Sequence, residues 1–262
     1  MTGYTVTSLT KLRMLAPWRM QELHGTEHHR LYWITRGQGR VIVSCVSRGY
    51  GPNTAIWVPG RTMMALELPA QIQGLELVIP TGQDLDLPDG PRHLRISNIE
   101  SQGNLTSAIE RIEREIVGQA PAMERALRAY GLLISTGLER ELARQDGRLG
   151  TKPAHRLAMA FSALLEGSYH QGFGVADFAR ELGVTPTHLS RVCRTAAGRP
   201  AHALIHERLM HEARLLLADT RMPARAVAER LGFSSAAYFT RAFAAYTGRT
   251  PSEFRRPGAR RL

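Results

Sequence analysis

The sequence predicts an α+β protein in two domains, a strand-rich half followed by an all-helical half. Three observations carry this. Residues 28–80 break into short apolar runs separated by Gly and Pro, the pattern of a small antiparallel barrel or sandwich. After Gly103 the period lengthens: Leu105, Ile109, Ile112 and Ile116 step by four, three and four residues, one stripe of a helix. After Ala154 no strand candidate remains, and a broken helical phrase is written twice.

The strands come first. "HRLYWITRG", "GRVIVSCVSRG", "TAIWVPG" and "LELVIP" are rich in Val, Ile, Trp and Tyr, and Gly37-Gln38-Gly39, Gly49-Tyr50-Gly51-Pro52-Asn53 and Pro59-Gly60 punctuate them. Residues 81–100 are too polar and too often broken for a long element. A helical hairpin follows over about 103–145, its turn at Gly118–Pro121, then a polar Gly- and Pro-containing linker at 147–154. The expected domains are therefore 1–146 and 155–262.

Charge separates the halves. Of the net +11, residues 151–262 hold 17 basic and 8 acidic side chains, a net of +9, against +2 in residues 1–150. A basic C-terminal half is the footprint of a polyanion binder. Only Lys11 and Lys152 are lysines, so codon bias toward Arg is the plain alternative, although bias alone would not concentrate the excess in one half. No membrane-spanning run and no export signal are evident, so the expected location is cytoplasmic, on the nucleoid when bound to DNA. Cys45 and Cys193 make neither a disulfide framework nor a zinc site; each reads as a buried hydrophobe, a redox sensor being the lesser alternative. No phosphate loop, nucleophile elbow or HExxH motif marks an enzyme, and neither cofactor nor metal is expected. His202 and His206, at i and i+4, lack a third metal ligand and read as helix-surface or packing residues.

The doubled phrase is "RELGVTPTHLSRVCRTAAGRP" and "ERLGFSSAAYFTRAFAAYTGRTPSEFRR". Ala179/Ala228, Leu182/Leu231 and Gly183/Gly232 match at an offset of 49, and Arg191/Arg241, Gly198/Gly248 and Arg199/Arg249 at 50. Each copy reads as a helix-turn-helix. The Gly ends the first helix with a left-handed residue. Thr185 before Pro186 caps the second helix in one copy, and Ser234 or Ser235 does so in the other. The second helix then offers a short polar face ending in an arginine, suited to a major groove. A connecting helix from about Pro200 to Asp219 would span about 30 Å, close to the separation of about 34 Å between successive major grooves on one DNA face.

On these residues, about 155–256 resembles the DNA-binding domain of the AraC/XylS family of bacterial transcription regulators; "RLMHEARLLLADTRMPARAVA" resembles its linker helix. The resemblance implies seven helices, the third and sixth reading adjacent major grooves of promoter DNA. By position, the first reader presents Thr187, Ser190 and Arg191, and the second Ala236, Ala237, Tyr238, Thr240 and Arg241. Two alanines leave the second face plain, so thymine-methyl or phosphate contact is the alternative to base readout there. Arg194 and Arg199 are candidates for phosphates, as are Arg255, Arg256, Arg260 and Arg261.

"HHRLYWITRGQGRVIV" and "AIWVPGRTMMALEL" resemble the family's cupin-like sensory barrel. This implies a small-molecule effector, a homodimer and, for an activator, RNA polymerase as a partner. A metal-binding cupin enzyme is the rival, but His28 and His29 are adjacent and Met64 stands where the last histidine ligand would be. Tyr32, Trp33, Trp57 and Met64 are either barrel core or the lining of an effector pocket. The stripe Leu105, Ile109, Ile112 and Ile116 either covers the barrel or forms a dimer interface. A ligand-independent DNA-binding regulator is a further alternative.

Overall fold

The computed structural model describes residues 3–145 and 152–256. The expected linker falls mostly on residues outside this range, as do Arg260 and Arg261.

The N-terminal half opens with strand β1 (Thr5–Ser8), helix α1 (Leu9–Arg13) and a single turn, α2 (Trp18–Gln21). Seven strands follow: β2 (His29–Arg36), β3 (Gly39–Val43), β4 (Val46–Tyr50), β5 (Thr54–Val58), β6 (Met64–Leu66), β7 (Gln73–Ile79) and β8 (Arg92–Arg95). They make two antiparallel sheets rather than one closed barrel: β1-β7-β2-β5-β8 and β4-β3-β6. Strand alternation decides what each face touches. In β2 and β5, Tyr32, Ile34, Ile56 and Val58 point between the sheets, where they meet Val41, Val43, Met64 and Leu66. Their neighbours Leu31, Trp33, Ala55 and Trp57 point the other way.

That second face is roofed by α3 (Ile99–Gly118) and α4 (Met123–Arg144), which pack as a hairpin. Helix α3 starts at Ile99, four residues before the expected Gly103, because the Asn98 side chain accepts from the Ser101 N–H at 2.9 Å. Leu105, Ile109 and Ile112 are buried, with Ile116 partly so, against Trp33, Trp57 and the α4 residues Leu127, Ile134 and Leu138. The stripe therefore covers the sheet, and its part in a dimer interface is corrected: an amphipathic period reports that a face is buried, not against what.

The C-terminal half has seven helices among the described residues. They are α5 (Pro153–Ser168), α6 (Val175–Glu181), α7 (Pro186–Ala197), α8 (Ala201–Asp219), α9 (Ala224–Arg230), α10 (Ala236–Thr247) and α11 (Pro251–Arg255), with a 3-10 turn at Tyr169–Gln171. Pro153 occupies the first turn of α5, so this half begins two residues before the expected 155. Helix α8 joins two cores. Ala201, Leu204 and Ile205 belong to one around Phe161 and Phe178, and Met210, Ala213 and Leu217 to another around Phe239 and Phe243.

The halves are packed together. Ile42, Cys45 and Ala65, on the outer face of the small sheet, are buried in the first C-terminal core. Ser44 and Cys45 both have positive φ, 50° and 58°, which makes the β3–β4 turn the two-residue kind favoured by twisted hairpins.

Candidate nucleic-acid interface

The two helix-turn-helix units agree bond for bond. In the first, α6 ends as the Gly183 N–H donates to the Arg180 carbonyl at 3.1 Å and the Val184 N–H to Ala179 at 2.9 Å. In the second, Gly232 and Phe233 donate to Glu229 and Ala228 at 3.2 and 3.0 Å. Both glycines are left-handed, φ 65° and 73°, so each unit turns through the same αL residue. Thr185 then accepts from the His188 N–H at 3.2 Å, and Ser235 from the Tyr238 N–H at 3.1 Å; of the two serines offered as caps, Ser235 serves. Helices α7 and α10 are each 12 residues long and end at left-handed Gly198 and Gly248.

These caps fix which side chains face out. On α7, Leu189, Val192, Cys193 and Ala196 are buried, leaving Thr187, Arg191 and Arg194 exposed and Ser190 half-buried. Arg191 donates to His188 Nδ1 at 3.0 Å, which steers the guanidinium toward the helix start. Position-by-position reading missed His188; its i, i+3 spacing from Arg191 was the available signal. On α10, Phe239 and Phe243 are buried, while Ala237, Tyr238 and Arg241 are exposed and Ala236 and Thr240 half-buried. Thr240 donates its hydroxyl to the Ala236 carbonyl at 2.9 Å, and Tyr238 is 51% exposed with its ring 5.9 Å from that of Phe233. The second reading face is thus an exposed ring, an arginine and methyl groups.

Two candidate phosphate contacts have other work. Arg199 forms an ion pair with Glu207 on α8. Arg255 donates to the carbonyls of Leu217, at 3.3 Å, and Met222, closing the end of α8. Arg194 and Arg256 are exposed.

The four candidate effector residues are not brought to one pocket. Tyr32 and Met64 fill the space between the sheets; Trp33 and Trp57 lie under the helical hairpin. The phenol of Tyr32 accepts from Arg30, which is paired to the buried Glu76 at 2.5 Å. Trp33 Nε1 donates to the Thr106 hydroxyl at 2.9 Å and Trp57 Nε1 to the Pro88 carbonyl at 2.8 Å. All four are core, and adjacent strand residues such as Tyr32 and Trp33 must face opposite ways. His29, weighed above as a metal ligand, stacks on Trp57 and accepts from the Gly60 N–H at 3.1 Å. His206 packs its ring 5.1 Å from Tyr246.

Two matched units on one connecting helix define a double helix-turn-helix protein. A helix-turn-helix domain model matches residues 178–257. The arabinose operon regulatory protein of Salmonella typhimurium is 36% identical over 83 residues, covering 32% of this chain and 30% of that one. The thermoregulatory protein LcrF of Yersinia pestis is 32% identical over 182 residues, 68% of this chain and 64% of that one. The transcriptional activator AarP of Providencia stuartii is 33% identical over 91 residues, 35% of this chain and 67% of that one. The chain belongs to the AraC/XylS family.

Proposed function

We propose that this protein is a sequence-specific DNA-binding transcription regulator, its α7 and α10 entering successive major grooves of promoter DNA. The observation that carries the reading is the pair of matching turns and caps, which leaves Thr187, Arg191 and Arg194 exposed on one helix and Ala237, Tyr238 and Arg241 on the other. The 19 residues of α8 separate them by about 28 Å, near one DNA turn. The regulators LcrF and AarP, similar by sequence, support the same reading, as does the excess of arginine in this half. The names of these relatives describe regulation rather than catalysis, and a cytoplasmic, nucleoid-bound location goes with it.

The test is selection of bound duplexes from a random library by the full chain, repeated with Arg191→Ala and Arg241→Ala. The wild type enriches a two-part site, with affinity falling steeply as salt rises. Wild-type affinity and preference in both variants would sink the groove assignment.

A dimer, in this reading, uses the outer side of the α3–α4 hairpin. A cleft of about 750 Å³ runs there beside Arg111, Tyr130 and Leu133, and Leu133 is 63% exposed. Leu133→Asp should then lower the sedimenting mass of the free protein toward that of one chain. A small-molecule effector between the sheets would have to displace side chains that already fill that space.

A further inference from the structure

The junction between the halves has a chemistry that DNA reading does not use. Residues 16–24 leave the sandwich and lie along α8. Ala16 and Trp18 are buried among Met210, Ala213, Phe243 and Phe254, in the core of the second reader unit. Arg19 binds both carboxylate oxygens of Asp219, at 3.0 and 2.6 Å. Glu22 accepts from Arg214 and, at 3.3 Å, from the Tyr246 hydroxyl of α10. On the far side, Cys45 at the β3–β4 tip shares a core with Cys193 of α7, so the N-terminal half holds both reader units at once.

At the centre two imidazoles are stacked. His24 and His211 have ring centroids 4.9 Å apart and planes 16° from parallel, and both are buried. His24 Nδ1 lies 2.8 Å from the Glu22 carbonyl, and His211 Nδ1 lies 3.2 Å from the Trp18 carbonyl. A carbonyl only accepts, so each ring carries its proton on Nδ1 and has Nε2 left to take up another.

The charged surroundings are already balanced. Arg214 is paired with Glu22, Arg199 with Glu207, Arg30 with Glu76, and Arg208 with both Glu166 and Glu212. The Glu22 carboxylate is the nearest to His211, at 4.0 Å. An added proton on either ring is therefore a buried cation facing Arg30, Arg208 and Arg214.

We propose that the stacked His24 and His211 rings are a proton-operated latch between the two halves, closed while both are neutral and opened by acid. Thr187, Arg191 and Arg241 stay exposed when the latch is closed, so it sets how the readers are held rather than covering them. That consequence rests on the DNA reading; the latch itself does not.

Burial, with the nearby cations, holds His24 down at about 4 and His211 well below its ordinary range. Released rings titrate near about 6.5, so opening takes up to two protons as pH falls below that value. Glu22 works in the opposite direction. Burial raises it to about 7, so opening releases its proton between there and the ordinary carboxyl range. Two uptakes against one release leave a net uptake of about one proton, and the opening constant rises roughly tenfold from about pH 7 to about pH 5.

The two cysteines are both buried at this junction and give the assay. Labelling of the full chain by a dipyridyl disulfide, corrected for the reagent's own rate on denatured chain, is followed from about pH 7.5 to about pH 5, with circular dichroism in parallel. The wild type labels roughly tenfold faster at the acid end with helix content unchanged. In His24→Gln/His211→Gln the rise is replaced by a fall toward acid of roughly several tens-fold, left by Glu22. In Glu22→Gln, which removes the opposing group, the rise steepens to roughly several-hundredfold. A flat wild-type profile, an undiminished rise in the double-histidine variant, or helix loss at the same pH overturns the latch. Failure to select any duplex overturns the DNA reading and leaves this assay standing.

Discussion

The two reader units share one backbone plan but differ in what surrounds it. Gly183 and Gly232 are both left-handed, yet a Cβ at Gly183 would meet nothing within 4 Å. One at Gly232 would come within 2.6 Å of the Gly172 nitrogen and the His170 carbonyl. The second turn is thus packed onto the segment that enters the first unit, whereas the first turn stands free. The faces differ in the opposite sense. The first offers Thr187, Ser190 and Arg191, with His188 bonded to the arginine, and the second offers methyls, an exposed ring and Arg241. The same local motif therefore serves sequence reading in one copy, on our proposal, and fixed placement in the other.

The sharpest way to break that comparison is Gly232→Ala against Gly183→Ala. The first combines a left-handed alanine with a backbone clash and should cost about 3 kcal/mol or more, while the second should cost about 1 kcal/mol. Urea unfolding of the full chain measures both; equal costs would mean that the second turn is as free as the first. Next in size, Arg191→Ala should relax preference at one base pair by about 1–3 kcal/mol. Arg241→Ala should instead weaken all duplexes alike and reduce the salt slope by about one. Selected-site profiles would distinguish these, and exchanged phenotypes would reverse the assignment of roles. The smallest effect is a control. Thr185→Ala and Ser235→Ala remove equivalent caps, so each should cost about 1 kcal/mol, and a large inequality would show that the two units are not held alike.

What could be read in advance followed the range of the interaction. Thr185-Pro186, the turn glycines and the terminal Gly198 and Gly248 act over three or four residues, so the reader units were legible from composition and spacing alone. The strands of residues 28–80 were legible by their turns. The elements before residue 28 and strand β8 were not: β1 is four residues long, α1 and α2 are single turns, and β8, "RHLR", is a charged edge strand with one buried side chain. The grouping of Tyr32 with Trp33 ignored a signal that was present, since strand neighbours cannot line one pocket. The junction left no such signal. Glu22 and His24 lie on a segment far from His211 in the chain, and nothing periodic connects them.

Helix α8 has both ends embedded, one in each C-terminal core, and this gives it the character of a ruler with a phase. Inserting one residue would lengthen it by only about 1.5 Å but would swing everything beyond it by about 100°. A change in operator spacing therefore cannot be followed by small steps in this helix. Only additions near whole numbers of turns, such as about seven residues for two turns, keep the second reader facing the same side of the duplex.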